Sequence, residues 1–274
     1  MILLLILSIT PTILIILFIM SKDKYEPEPR ALLFKLFGLG VLTIIPSVIF
    51  EMVFELPVGQ DLLTTAIYAF CVVAFSEEGS KFIAVRLFAY NKPSFNEIYD
   101  GIIYSVFVSL GFATAENIFY VFANGVGTGI LRAVTSVPGH TMFAVAMGYY
   151  LSLSKVRGRK GYDTFMAILT PVLLHGLYDF LLMSGNGILI LLFIPYLIFL
   201  YVRTVKMIKK TSVLEPFAPP SVPAAYNGQI PQQPAVYPAP EQPPAAASAA
   251  FCPECGAAVT TGADFCGDCG SRLQ

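Results

Sequence analysis

The chain has 274 residues, of which 56% are hydrophobic and only 13% are charged, and its mean hydropathy is +0.71. Soluble domains carry about 25% charged residues, so this chain has too little polar surface to cover a globule of its size. The apolar content excludes disorder throughout, and a formal net charge of −1 argues against a nucleic-acid partner. The composition therefore predicts an integral membrane protein.

Seven apolar segments are long enough to cross about 30 Å of hydrocarbon, which takes roughly 20 helical residues. They are residues 2–20, 31–54, 62–86, 97–122, 129–153, 163–184 and 188–206. The first lacks the basic flank and the small-residue cleavage site of a signal peptide, so we interpret it as a retained span. We predict an all-α polytopic membrane protein with about seven transmembrane helices within residues 1–210.

Lysine and arginine are concentrated in alternate connections between these segments. They follow the first and the seventh segment, and they lie between the third and fourth and between the fifth and sixth. The other connections are almost free of them, with Arg132 as the exception. Because basic loops stay in the cytoplasm, we expect a multi-pass cell-membrane protein with its amino terminus outside and its carboxyl terminus in the cytoplasm.

The composition changes after residue 210. Residues 211–250 contain ten of the twenty prolines, together with many alanines and almost no charge. Such a segment cannot bury a hydrophobic core, so we predict a disordered linker there.

Residues 251–274 contain four cysteines in the pattern C-x2-C-x10-C-x2-C, namely Cys252, Cys255, Cys266 and Cys269. Two such pairs can present four thiolates to one tetrahedral zinc ion, and the segment resembles a zinc ribbon. Two disulfides are the alternative, but the expected cytoplasmic location is reducing. We therefore predict a structural zinc site in a small module that binds a protein partner.

Several ionisable or polar side chains lie inside the predicted spans, where each charge costs about 2.5–3.5 kcal/mol. They are Glu77, Glu78 and Lys81 in the third span, Glu116 and Asn117 in the fourth, His140 in the fifth, and His175 and Asp179 in the sixth. Helical spacing lets Lys81 pair with either preceding glutamate and places Asp179 on the face of His175. Glu116 and Asn117 lie on adjacent faces, so we expect only one of them to point into a given site.

Each of these residues taken alone has a structural explanation. A histidine in a span often forms interhelical hydrogen bonds, and a Glu–Lys pair is often structural. Their concentration on four consecutive spans instead favours a shared functional site.

The motifs resemble those of the PrsW family of intramembrane proteases, relatives of the superfamily that includes the CAAX-prenyl endopeptidases and the bacterial Abi proteins. The matching motifs span residues 60–185 and are Glu77-Glu78-x-x-Lys81, Gly111-Phe112-Ala113-x-x-Glu116-Asn117, His140 with Met142-Phe143, and His175-x-x-x-Asp179. Related CAAX-type enzymes usually end the last motif in asparagine, where this chain has Asp179.

The resemblance implies hydrolysis of membrane-anchored proteins, such as anti-sigma factors, within or beside the bilayer. Glu77 or Glu78 would be the base that activates water, and Lys81 would position both glutamates. His140 would help to hold the water or a metal, and His175, assisted by Asp179, would be a second ligand or the donor to the oxyanion. Glu116 would be a further ligand or a second acid. Glu78, His140 and His175 form a possible catalytic zinc set, although a base without metal suits the same residues.

Two other functions fit the buried charges. A proton-coupled transporter or channel also uses acids and histidines in its spans, but we find no internal repeat in this chain. A catalytically inactive membrane scaffold that acts through its zinc ribbon is the second alternative, and it predicts that the buried residues tolerate substitution.

Overall fold

The computed structural model describes residues 1–23, 26–157, 159–214, 250–251 and 258–259. The chain divides into two units, Met1–Pro216 and Phe217–Gln274. In the second unit, strand β1 (Ala250–Phe251) pairs antiparallel with β2 (Ala258–Val259). The predicted linker, apart from Ala250 and four residues at its start, and the four zinc-ribbon cysteines lie outside the described residues.

The first unit is helical over most of its described length. Its elements are α1 (Ile2–Met20), α2 (Arg30–Val53), α3 (Leu62–Ile67), a π-helical segment (Tyr68–Ala74), α4 (Phe75–Phe88), α5 (Ile98–Asn124), α6 (Val126–Val134), α7 (Ser136–Val156), α8 (Lys160–Met183) and α9 (Gly187–Thr211).

Within the described residues, six helical stretches are long and apolar enough to cross a membrane. They are α1, α2, the continuous stretch Leu62–Phe88, α5, α8 and α9. Helix α7 has 21 residues but is more polar and is not among the six. It packs between α5 and α8 and is buried over most of its length, so it needs no apolar surface toward lipid.

The predicted span 129–153 is not one helix. A turn at Thr135 separates the short α6 from α7. Pro138 lies in the first turn of α7, where backbone N–H groups have no partner within the helix. The N–H that proline lacks therefore costs no helical hydrogen bond there. The α6 side chains Ile130, Leu131 and Val134 are exposed, and Gly129 packs against Leu7 of α1.

Helix α5 is the centre of the bundle. Every residue from Ile98 to Thr114 is buried, and α5 packs against α1, α2 and α7. Glycines allow this close packing, since a Cβ atom at Gly148 of α7 would collide with the carbonyl oxygen of Gly101. Interfaces of small residues are typical of helices in membranes. This packing fixes α4, α5, α7 and α8 around one another, and these four helices carry the predicted site residues.

Candidate active site

Glu77, Glu78 and Lys81 meet in the first two turns of α4. The Lys81 Nζ atom donates to Glu77 Oε2 at 2.9 Å and to Glu78 Oε1 at 2.8 Å. The sequence left open which glutamate pairs with the lysine, and the structure has both contacts. All three side chains are buried, so the ammonium offsets carboxylate charge in a region of low dielectric.

His140 of α7 contacts this group through one ring nitrogen. Its Nδ1 atom lies 3.2 Å from Lys81 Nζ, and its Nε2 atom lies 2.9 Å from Glu116 Oε2. An ammonium can only donate, so Nδ1 accepts, and Nε2 carries the proton and donates to the carboxylate of Glu116. His140 thus links α4 to α5 through a defined tautomer.

Glu116 has a second donor that the sequence did not single out as a site residue. Arg132 of α6 donates through Nη2 to Glu116 Oε2 at 2.7 Å and through Nε to Asn117 Oδ1 at 2.9 Å. Its guanidinium also lies over the Tyr120 ring, 4.2 Å from the centroid. The available signal was the unusual position of Arg132 in a connection otherwise poor in basic residues.

His175 of α8 completes the group. Its Nδ1 atom lies 3.0 Å from Glu78 Oε1, and its Nε2 atom lies 3.3 Å from Asp179 Oδ2. The imidazole stacks on Phe143 at a centroid distance of 4.8 Å, and it meets the His140 ring edge-on at 5.4 Å. Both nitrogens therefore face carboxylates, and the ring orientation is fixed by packing.

Seven of the eight predicted residues converge, and Asn117 does not. The Asn117 side chain donates to the carbonyl oxygen of Ser8 in α1 and accepts from Arg132, so it joins α1, α5 and α6. Of the adjacent pair Glu116–Asn117, only Glu116 contacts the histidines, as the helical geometry predicted.

A cavity of about 830 Å³ opens onto the converged residues. Glu77, Glu116, His140, His175 and Asp179 line it, whereas Glu78 does not. Apolar and largely exposed side chains from α2, α5 and α6 also line it, among them Ile45, Ile49, Phe119 and Leu131. The lining residues lie in the halves of the helices that adjoin α6 and the connections 54–61 and 184–186. The cavity therefore occupies that half of the bundle.

Glu77, Glu78, His140 and His175 have the composition of a metal site. One ligand atom from each lies within 4.8 Å of the others, and all four side chains are buried. Glu78 Oε2 is buried without a hydrogen-bond partner among the described residues. Two imidazoles with carboxylate oxygens suit zinc, so these residues fit a catalytic ion. The Lys81 ammonium contacts three of the four, namely Glu77, Glu78 and His140.

Comparison with known protein families identifies the family to which these site residues belong. Residues 28–204 match the family described as "PrsW family intramembrane metalloprotease", and residues 251–273 match a zinc-ribbon domain. The chain belongs to the PrsW family. The match extends on both sides of residues 60–185, to which the sequence motifs pointed, and the zinc-ribbon match confirms the predicted carboxyl-terminal module.

Several proteins named Protease PrsW align with most of this chain. Protease PrsW of Clostridioides difficile (strain 630) is 39% identical over 203 residues, which are 71% of this chain and 85% of that protein. Protease PrsW of Geobacillus kaustophilus (strain HTA426) is 39% identical over 178 residues, 65% of this chain and 78% of that protein. Protease PrsW of Bacillus subtilis (strain 168) is 34% identical over 207 residues, 74% of this chain and 93% of that protein.

No solved structure matches this PrsW family chain. Family membership makes it an intramembrane peptidase embedded in a lipid bilayer that acts on membrane proteins. The family description and the buried Glu/His group support metal-assisted hydrolysis, and the separate match at residues 251–273 supports the zinc ribbon, as the sequence predicted. The transporter and scaffold alternatives gain no support from these relatives.

Proposed function

We propose that Glu77 is the general base of this peptidase and that Glu78, His140 and His175 hold its catalytic metal. The observation that carries the proposal is the difference between the adjacent glutamates, because Glu77 lines the cavity and Glu78 does not. A base must reach water that enters with the substrate, whereas a ligand needs only a fixed position. When bound, the metal would supply a Lewis acid that polarises the scissile carbonyl.

The remaining residues act on this centre. Lys81 holds both glutamates, and Asp179 orients the His175 ring from the cavity side. Glu116 accepts from His140 and thereby keeps Nδ1 of that ring free of a proton and able to act as a ligand. Arg132 in turn fixes Glu116, which assigns it a positioning role.

The substrate is proposed to be a membrane-anchored regulatory protein of the anti-sigma-factor type. Apolar side chains around the cavity suit a substrate segment that approaches from the bilayer. The cavity half of the bundle contains the connections poor in basic residues, so the positive-inside rule supports cleavage in the outer half of the membrane. By the same rule, the zinc ribbon is cytoplasmic, where its four cysteines hold a structural ion and it contacts a protein partner.

Quantitative proteomics of membrane and released fractions tests the function. Cells that express the wild-type chain should release fragments of single-pass membrane proteins that are absent with Glu77→Gln. Glu55→Gln is the matched control, because Glu55 is an exposed glutamate between α2 and α3 and does not line the cavity. Identical fragment sets from wild type and Glu77→Gln, at equal protein levels, would contradict the proposed base.

A further inference from the structure

The active-site cavity contains a carboxyl group that the proposed mechanism does not use. Glu51 lies near the end of α2, is half-buried and lines the cavity. Its Oε1 atom accepts from the Ser76 hydroxyl of α4 at 3.3 Å. Ser76 directly precedes Glu77 in the chain, so this contact holds Glu51 on the same wall of the cavity as the proposed base.

Glu51 forms no ion pair with a lysine or arginine among the described residues. Every other carboxylate that lines the cavity faces a basic side chain, in the pairs Glu77–Lys81, Glu116–Arg132 and Asp179–His175. Glu51 interacts instead with the carboxylates of Glu116 and Asp179 and with the His175 ring, which two other carboxylates already flank. A carboxylate among like charges in a partly buried site favours a bound cation.

The cavity itself has no basic side chain to offer Glu51. Arg132 is the one lysine or arginine among the described residues that line it. Its Nη2 atom donates to Glu116 and its Nε atom donates to Asn117, so the guanidinium is already held on the α5 side. The cation that suits Glu51 therefore has to arrive with the substrate.

The rest of the α2 wall is apolar. Ile45, Val48 and Ile49 line the cavity and are exposed side chains. A helix rises 1.5 Å per residue, so Glu51 lies about 9 Å beyond Ile45, toward the connection 54–61. The wall is thus an apolar strip that ends in a carboxylate.

We propose that Glu51 selects substrates that carry a lysine or arginine directly outside their membrane span. The apolar end of the substrate span packs on Ile45, Val48 and Ile49, and the basic side chain that follows it pairs with Glu51. This inference rests on the proposed function, since it takes the substrate to be a membrane-anchored protein. The connection 54–61 has no basic residue, so the positive-inside rule places Glu51 toward the outer surface.

Such a contact discriminates between membrane proteins. Lysine and arginine are concentrated on the cytoplasmic side of membrane spans, so a basic residue directly outside a span is uncommon. An uncharged flank leaves Glu51 without a partner, and an acidic flank is repelled by it. One carboxylate on an apolar wall therefore separates a minority of single-pass proteins from the rest.

Cleavage of designed single-pass proteins in cells tests the selection. Each probe has a leucine-rich span and a short outer flank in which one position is lysine, glutamine or glutamate. The probes are expressed together with the full-length chain, and released fragments are quantified by mass spectrometry. We expect the lysine probe to be cleaved about tenfold faster than the glutamine probe, as for a partly desolvated ion pair, and the glutamate probe to be cleaved slowest.

Charge reversal of Glu51 separates recognition from a structural role. Glu51→Lys should reverse the order, so that the glutamate probe is cleaved fastest, and a packing defect would slow all three probes alike. Glu51→Gln should cleave the lysine and glutamine probes at similar rates. The matched control is Glu55→Lys, because Glu55 is exposed and does not line the cavity, and it should keep the preference for lysine.

Equal cleavage of the lysine and glutamine probes by the wild-type chain overturns the inference, and this comparison needs no variant to fold. An unchanged preference for lysine in Glu51→Lys also overturns it. In both cases the peptidase itself still stands. Cleavage that Glu77→Gln leaves unchanged contradicts the proposed function instead, so the two failures are distinguishable.

Discussion

Arg132 and Glu116 form an ion pair of 2.7 Å between α6 and α5 beside the His140 ring. The arginine belongs to a short helix that has apolar exposed residues, whereas the glutamate belongs to the central helix of the bundle. The pair therefore connects a peripheral helix directly to the candidate catalytic group.

Substitution of Arg132 tests this connection. Arg132→Gln should reduce the cleavage rate about 10- to 100-fold, because partners of ligand-supporting residues have effects of this size. Arg132→Lys should restore part of the rate by keeping the charge on Glu116. The rate is measured on a substrate found by the proteomic comparison. Arg203→Gln is the control, because Arg203 is an exposed arginine of α9 that does not line the cavity. A rate equal to wild type in Arg132→Gln would show that Glu116 needs no second donor.

Substitutions of the two adjacent glutamates should differ in their effect on the metal content of the protein. We expect full-length protein to hold about two zinc ions, and Cys252→Ser with Cys255→Ser to leave about one. In that background, Glu78→Gln should lower the remaining metal, whereas Glu77→Gln should retain metal and lose activity. Elemental analysis of purified protein measures both. Equal metal in the Glu78→Gln and Glu77→Gln proteins would contradict the assignment of Glu78 as ligand.

His175→Ala should abolish cleavage while the protein stays in the membrane. One imidazole nitrogen faces Glu78 and the other faces Asp179. Alanine removes the imidazole, so both carboxylates lose this contact. Cleavage of the identified substrate and membrane fractionation measure the two properties. Normal cleavage would remove His175 from the site.

The glycine contact between α5 and α7 should be sensitive to a single methyl group. Gly148→Ala places a Cβ against the Gly101 carbonyl, and overpacking of this kind costs about 1–3 kcal/mol. Gly127→Ala in α6 is the control, because a Cβ there meets no atom within 4 Å. Thermal unfolding in detergent should show a lower midpoint than wild type for Gly148→Ala and an unchanged midpoint for Gly127→Ala.

Burial and the neighbouring Asp100 carboxyl raise the pKa of Glu28, in the connection between α1 and α2, to about 9. The pH dependence of stability should show this shift. A carboxyl whose pKa is raised by folding stabilises the protein below its ordinary pKa of 4.5 and loses that contribution as the pH rises toward about 9. Glu28→Gln remains neutral, so its unfolding midpoint should gain on wild type as the pH increases from 5 to 9. Parallel pH profiles of the wild-type and Glu28→Gln proteins would contradict the raised pKa.

The sequence predicted much of the fold because membrane insertion depends on composition. Long apolar segments became helices with bounds close to those expected, as in Ile2–Met20. The segment 129–153 was the exception, because a hydropathy pattern cannot show where Thr135 interrupts a helix. Helix α7 also shows that an interior helix can be more polar than a lipid-facing one.

The members of the candidate site and its contacts within one helix were predictable, whereas most of its contacts between helices were not. Ionisable side chains inside spans identified Glu77, His140 and His175 without any knowledge of packing. The role of Arg132 depends on the fold of α6 back toward α5, which no local pattern shows. The difference between Glu77 and Glu78 likewise depends on which carboxylate reaches the cavity, and adjacent positions in a helix leave that open.

The buried half of α5 has a consequence for the membrane itself. A peptidase must admit water to its site, and a water-filled path through the bundle would dissipate ion gradients. Here every residue of α5 from Ile98 to Thr114 is buried, and the candidate active-site cavity lies in the other half of the bundle. We therefore expect hydrolysis in that half of the bundle to leave the permeability barrier of the bilayer intact.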